Sequence, residues 1–176
     1  MAASTSFVSV PLDPPVHDLS HFDSGEPDLD AWLRGSAATA ARARVAQTFV
    51  WNRDVDDRGV VAYYALSAHA IPRAEAPSRI GRGVPDPAPA ALLAKLALDR
   101  TLQGSGRGQL LLVDALQRIL QASERGPAVR AIVVDAATDA GRMLYAKFGF
   151  VAAPGRADRM LVRPETIVKG LHPSAT

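Results

Sequence analysis

The sequence predicts an α/β fold: a central mixed, twisted sheet of six to seven strands with helices on both faces, in one domain over 1–176. Three observations carry it. Val129-Arg130-Ala131-Ile132-Val133-Val134 is a nearly continuous apolar run, the pattern of a strand buried on both faces as in a parallel pair. Residues 106–124 repeat Leu112, Leu116, Ile119 and Leu120 at helical spacing. Around these, strand-length and helix-length segments alternate, as in a sheet covered by its own connecting helices.

In chain order, residues 7–12 form a short apolar strand, ended by Pro11 and Pro14-Pro15. Residues 27–46 read as helix: Pro27 suits the first helical position, and Leu29, Trp32 and Leu33 make one stripe. Gly35 and Ser36 allow a break there, so two helices fit as well. Thr48–Trp51 is a strand, Asn52–Asp54 a turn, and Gly59–Ser67 the next strand. Residues 70–90 are rich in proline, glycine and arginine and read as a long loop with room for one helical turn; loops of that length in a compact domain are usually functional or mobile. A buried strand over 91–99, the helix over 106–124, a central strand over 129–135 and a helix over 138–147 follow. Val151 and residues 159–163 close the sheet, and Pro164 opens a terminal helix.

Composition narrows the chemistry. With 48% apolar residues in 176, the chain has a real core. It has no cysteine, which excludes disulfides, thiolate nucleophiles and zinc–thiolate sites and fits a cytoplasmic protein. The opening Met-Ala-Ala-Ser-Thr-Ser-Phe lacks a basic and an apolar signal region, and no apolar run reaches the ~20 residues of a membrane span. His17, His21, His69 and His172 are scattered and none pairs at metal spacing, so no metal is expected; His69, after the third strand, is a possible substrate contact. The formal charge of +2 is uneven. Residues 1–30 hold six acidic and no basic side chains, residues 31–176 hold twenty basic and twelve acidic ones, and seventeen of the basic residues are arginine. An RNA or an acidic protein would each suit such a surface.

The richest segment is Leu98-Asp99-Arg100-Thr101-Leu102-Gln103-Gly104-Ser105-Gly106-Arg107-Gly108. A strand runs into a turn and a glycine loop that opens a helix. Free N–H groups and the positive end of the helix dipole favour a phosphate there. No Lys-Ser or Lys-Thr pair follows, so it is not a Walker loop, and Gln109 breaks the dinucleotide fingerprint. What remains, Gln103-x-x-Gly106-x-Gly108, resembles the acetyl-CoA pyrophosphate loop of the GNAT N-acetyltransferases. Asp139-Ala140-Gly141-Arg142-Met143-Leu144-Tyr145-Ala146-Lys147-Phe148-Gly149-Phe150 is similar to the later helix of that family, which presents a tyrosine to the thioester. Phe22-Asp23-Ser24-Gly25, Leu29-Asp30-Ala31-Trp32-Leu33 and Val60–Ser67 resemble one branch, the toxins of type II toxin–antitoxin pairs that acetylate the amino acid of charged tRNA.

The resemblance implies a GNAT fold, acetyl-CoA as cosubstrate and direct attack of an amine on the thioester. Backbone N–H groups of Gly104, Gly106, Arg107 and Gly108 would hold the pyrophosphate, with charge from Arg107, a donor from the Gln103 side chain and Ser105 as a further cofactor-binding residue of the loop. The main chain of Leu96, Ala97 and Leu98 would pair with the pantetheine arm, and Tyr145 would serve the departing thiolate. For charged tRNA the basic candidates are Arg42, Arg44, Arg73, Arg79, Arg82 and Lys95. A ribbon-helix-helix antitoxin and a homodimer are the implied partners. No glutamate is obviously placed as a base, which suits an α-amine with pKa ~7.7–8.0 better than a lysine near ~10.4. An acetyltransferase for a small amine or a protein N-terminus shares every cofactor residue, and a non-catalytic CoA-sensing module remains a reading of another class.

Overall fold

A computed structural model describes residues 7, 9–54 and 56–171; His172 lies outside them. Seven strands form one mixed sheet in the order β1-β2-β3-β4-β5-β7-β6. The elements are β1 (Val10–Pro11), α1 (Pro27–Gly35), α2 (Ala37–Arg42), β2 (Gln47–Asn52), β3 (Val60–Ile71), α3 (Ser78–Gly81), β4 (Ala88–Leu98), α4 (Arg107–Arg125), β5 (Ala131–Asp135), α5 (Asp139–Lys147), β6 (Val151–Ala153), β7 (Arg156–Val162) and α6 (Pro164–Leu171). By contacts the chain divides into one compact unit of 1–66 with 95–115 and a second of 67–94 with 116–176.

In the first unit β2 pairs antiparallel with both β1 and β3. The first strand keeps only two residues, because prolines at 11, 14 and 15 remove ladder donors. Alternation along β2 sends neighbours to opposite faces. Val50 packs with Leu33 of α1 and Ala37 of α2, whereas Trp51 donates its indole N–H to Asp114 of α4 at 2.7 Å. Helices therefore cover both faces of this part of the sheet. The helical stretch after Pro27 breaks at Ser36, whose N–H closes α1 onto Trp32 O.

In the second unit β5 pairs parallel with β4 and antiparallel with β7. Ala131, Ile132, Val133 and Val134 are all fully buried, the two-sided burial that the apolar run predicts. The 70–90 stretch departs from a plain loop. β3 continues to Ile71 and β4 starts at Ala88, leaving a 3-10 turn over Arg73–Glu75 and the short α3 between them. Pro89 lies inside β4, where its carbonyl accepts from Arg130 N at 2.8 Å. A proline's carbonyl still serves a ladder although it has no N–H to give.

Candidate active site

The glycine loop in the first unit is braced by the Phe22–Gly25 segment. Asp99, at the end of β4, is buried and accepts from Thr101 N (2.9 Å), Thr101 Oγ1 (2.6 Å) and Asp23 N (3.1 Å). Burial pushes its carboxyl up, but these bonds outweigh burial and hold it below the usual range. Arg100 N donates to Asp23 O at 2.9 Å, and its Nε pairs with Asp23 Oδ1 at 3.3 Å. Gly25 has φ +85°, and a Cβ there would sit 3.0 Å from Arg100 Nε. The left-handed conformation is what requires glycine at 25, since the flexible end of Arg100 would give way to a Cβ. On the other side, Ser24 N and Oγ both bond to the buried Asp30.

Gln103 completes the brace. Its Nε2 donates to Ser24 O and to Leu98 O, each at 2.8 Å. Both amide hydrogens are thus used within the protein, so Gln103 acts as a strut under the loop. Past it, Gly104 and Gly106 take φ +74° and +76°, a region that side chains disfavour. The amides of Gln109 and Leu110 are the first to bond back, both to Gly106 O. Among the described residues, the amides of Arg107 and Gly108 ahead of them have no backbone partner. Gly108 is instructive: its φ is ordinary, and a Cβ there would meet nothing within 4 Å. Nothing inside the protein demands glycine at 108, and the space above its amide is open. Beside the loop, Leu96, Ala97 and Leu98 extend β4 beyond Leu93, where its register with β5 ends.

Tyr145 belongs to the second unit. Thr138 caps α5 by accepting from Gly141 N at 3.1 Å, and Arg142 donates to Ala157 O. The helix ends at Gly149, in the left-handed region at φ +86°, where a Cβ would lie 2.8 Å from Thr166 Cγ2. The chain then folds back, with Phe150 N on Tyr145 O at 3.3 Å and the two rings 5.6 Å apart. Tyr145 is buried, yet its hydroxyl has no hydrogen-bond partner among the described residues. Burial first, and the charge of Asp135 second, push its pKa up to about 12.

A cluster that no local sequence pattern announces lies in the same unit. Arg159 grips Asp135 through Nε (2.8 Å) and Nη2 (2.9 Å), while Nη1 reaches Glu75 Oε2 (3.4 Å) and His69 Nε2 (3.2 Å). A guanidinium only donates, so His69 accepts on Nε2 and carries its proton on Nδ1. Glu75 opens the arginine-bearing connection between β3 and β4, so the cluster ties that connection to the sheet. Arg130 ties it again through Ile80 O and Arg79 O.

The basic candidates have separate surroundings. Arg73 donates to Val84 O and pairs with Asp86, Lys95 sits over the Trp32 ring at 5.9 Å, and Arg42 bonds Thr39 Oγ1. Arg79, Arg82 and Arg44 are exposed, and Arg44 is left-handed at φ +58°. Among the described residues no three metal-binding side chains converge, and no helix is long and apolar enough to cross a membrane.

No family model matches the chain. A tRNA-acetylating toxin of Mycobacterium tuberculosis is 42% identical over 137 residues, covering 78% of this chain and 80% of its own. A probable TacT toxin of Sinorhizobium fredii is 32% identical over 165 residues, covering 89% of this chain and 91% of its own. Among solved structures, AtaT complexed with acetyl-methionyl-tRNAfMet superposes with a TM-score of 0.84 at 24% identity, over 94% of this chain and 99% of that one. AtaTR bound with acetyl-CoA superposes with a TM-score of 0.78 at 23% identity, over 94% and 98%.

Proposed function

The chain belongs to the GNAT-type tRNA-acetylating toxins, and on that premise we propose that it moves the acetyl group of acetyl-CoA to the α-amine of an aminoacyl-tRNA, as the toxin of a toxin–antitoxin pair. One observation in the structure supports this reading most: the head of α4 offers the amides of Arg107 and Gly108 without a backbone partner, behind two left-handed glycines, Gly104 and Gly106. The M. tuberculosis and S. fredii relatives supply the substrate class and the toxin role.

The residues divide the work. Amides of Gly104 to Gly108 hold the pyrophosphate, with the positive end of α4 behind them. The main chain of Leu96–Leu98 runs beside the pantetheine arm, and an N–H near Leu98 serves the thioester carbonyl. Bound acetyl-CoA supplies an activated acyl group. Tyr145 gives the departing sulfur a hydrogen bond. With a pKa pushed up to about 12, its phenol is a far weaker acid than a thiol near ~8.5, so it shares its proton and does not surrender it. The amine forms the new C–N bond as the C–S bond breaks, and its surplus proton leaves to water. An α-amine near ~7.7–8.0 is partly neutral at physiological pH, so the step runs without a strong base.

The partners follow from the family: charged tRNA as acceptor and an antitoxin that restrains the enzyme, which we place in the cytoplasm as a homodimer. The test is to incubate the protein with labelled acetyl-CoA and total charged tRNA. Label in an alkali-released N-acetyl amino acid is expected. Label only in free amines or protein N-termini would overturn the tRNA reading.

A further inference from the structure

Four side chains make a closed column on α4. Asp114 Oδ2 accepts the Trp51 indole N–H at 2.7 Å. The Trp51 ring stacks on Phe7, with centres 4.9 Å apart and planes 8° from parallel. The Arg107 guanidinium carbon lies 5.8 Å from the centre of the Phe7 ring. Arg107 and Asp114 sit seven residues apart on the same helix, a spacing that puts both on one face. The column thus begins and ends on the helix whose head forms the glycine loop. We propose that Phe7 is a positioning residue for cofactor binding, holding the Arg107 guanidinium where it pairs with a phosphate of acetyl-CoA.

Electrostatics say why something must hold it. Arg107 is the first residue of α4, and the first turn of that helix has no acidic side chain. A cation at the positive end of a helix dipole is unfavourable, and a long arginine left alone would swing into water. Here the guanidinium is retained by the Phe7 face and by a 3.0 Å bond from Nη1 to Ser105 Oγ, which itself donates to Leu102 O at 2.6 Å. Phe7 is kept in place by a Trp51 ring that is almost wholly buried. A phosphate placed on the loop amides turns the unfavourable cation into a partner. This inference rests on reading the loop as the cofactor site.

The experiment measures acetyl-CoA affinity by calorimetry and steady-state constants for wild type, Phe7→Leu, Phe7→Tyr, Arg107→Ala and Phe7→Leu/Arg107→Ala. Leucine keeps an apolar cover on Trp51 and removes the π face; tyrosine keeps both. Phe7→Leu is expected to raise Kd and KM for acetyl-CoA roughly two- to fivefold with kcat unchanged, the scale of an exposed cation–π contact. Phe7→Tyr should behave as wild type, and the double variant should be no worse than Arg107→Ala alone. Repeating with acetyl-3′-dephospho-CoA finds the phosphate. If the Arg107→Ala defect vanishes, the partner is the 3′-phosphate; if it persists, the pyrophosphate. Wild-type affinity in Phe7→Leu beside a weakened Arg107→Ala, or additive defects in the double variant, would overturn the proposal. So would unchanged binding in Arg107→Ala. A Gly108→Ala control separates the two levels, because wild-type affinity there would remove the site reading itself.

Discussion

The side-chain amide of Gln103 donates to Ser24 O at 2.8 Å and so joins two segments that lie 79 residues apart in sequence. The glycine loop is held by the Phe22–Gly25 turn as well as by its own chain neighbours. Gln103→Leu keeps the volume and removes both donors, leaving Ser24 O and Leu98 O without them. Each such bond contributes about 0.5–1.5 kcal/mol, so a loss of about 1–3 kcal/mol in chemical denaturation is expected. Acetyl-CoA affinity should fall with it. Unchanged stability would show that water replaces the strut.

Gly108 and Gly106 should respond differently. Gly108→Ala puts a better helix former at a helical position with open space, which favours stability by up to about 1 kcal/mol. The same methyl group enters the anion cradle, so acetyl-CoA affinity should drop. Gly106→Val should lose both, because φ +76° strains any side chain. Melting curves and calorimetry on the two variants read the signs directly. A stabilised Gly108→Ala with intact affinity would contradict the cradle.

Tyr145→Phe should fold and bind acetyl-CoA as wild type does, since the hydroxyl makes no hydrogen bond within the described protein. Turnover should fall by roughly 10²–10⁴-fold. The pH profile adds a second check. With the phenol pushed up to about 12, no alkaline limb from Tyr145 should appear below about pH 11. The rate should instead rise with pH as the substrate α-amine, near ~7.7–8.0, loses its proton. A falling limb between pH 9 and 10 that Tyr145→Phe removes would show a phenol far more acidic than its burial implies.

The periodic parts of the fold were legible before any coordinates. The apolar run ending at Val134 and the stripe Leu112, Leu116, Ile119 stand where the spacing puts them, because burial alone fixes such segments. Proline misled in one place. Pro89 sits within β4, where Arg130, just ahead of β5, uses its carbonyl. The glycine loop and the Tyr145 helix were legible because their motifs are short and continuous in sequence, so that each carries its part of the resemblance to the family. His69, Glu75, Asp135 and Arg159 come from four separate elements, and no spacing rule links them. The strut role of Gln103 was hidden for the same reason, since its partner Ser24 belongs to a distant turn.

His69 makes stability sensitive to mild acid. Burial first, then the Arg159 charge, lower its pKa below the ordinary 6.5, with Arg156 adding and Asp135 and Glu75 opposing. A lowered folded pKa means the folded state binds the proton less readily than the unfolded chain. The His69 contribution is therefore complete above about pH 6.5 and is lost as pH falls through the folded value. The melting temperature should drop as pH falls below about 6.5. His69→Gln, which keeps an acceptor for Arg159 and cannot titrate, should flatten that part of the curve. Parallel curves for the two proteins would place the acid sensitivity elsewhere.

The arginines divide into those spent on the fold and those open to a polyanion. Arg73 is tied to Val84 O and Asp86, so Arg73→Ala should loosen the connection between β3 and β4. Arg42, Arg44, Arg79 and Arg82 are exposed, and their loss should act on tRNA binding. Arg44 offers the sharpest case. It sits after α2 at φ +58°, where a side chain costs about 1–2 kcal/mol and glycine costs little. Arg44→Gly should therefore raise the melting temperature while weakening the affinity for charged tRNA. Each phosphate contact contributes roughly 0.7–0.9 to the slope of log affinity against log salt. Arg42→Ala/Arg44→Gly and Arg79→Ala/Arg82→Ala should each flatten that slope by up to roughly two such contributions. Acetyl-CoA affinity should stay at the wild-type value in both. A double variant whose salt curve overlays the wild type has lost no phosphate contact, and its arginines would then only solvate the surface.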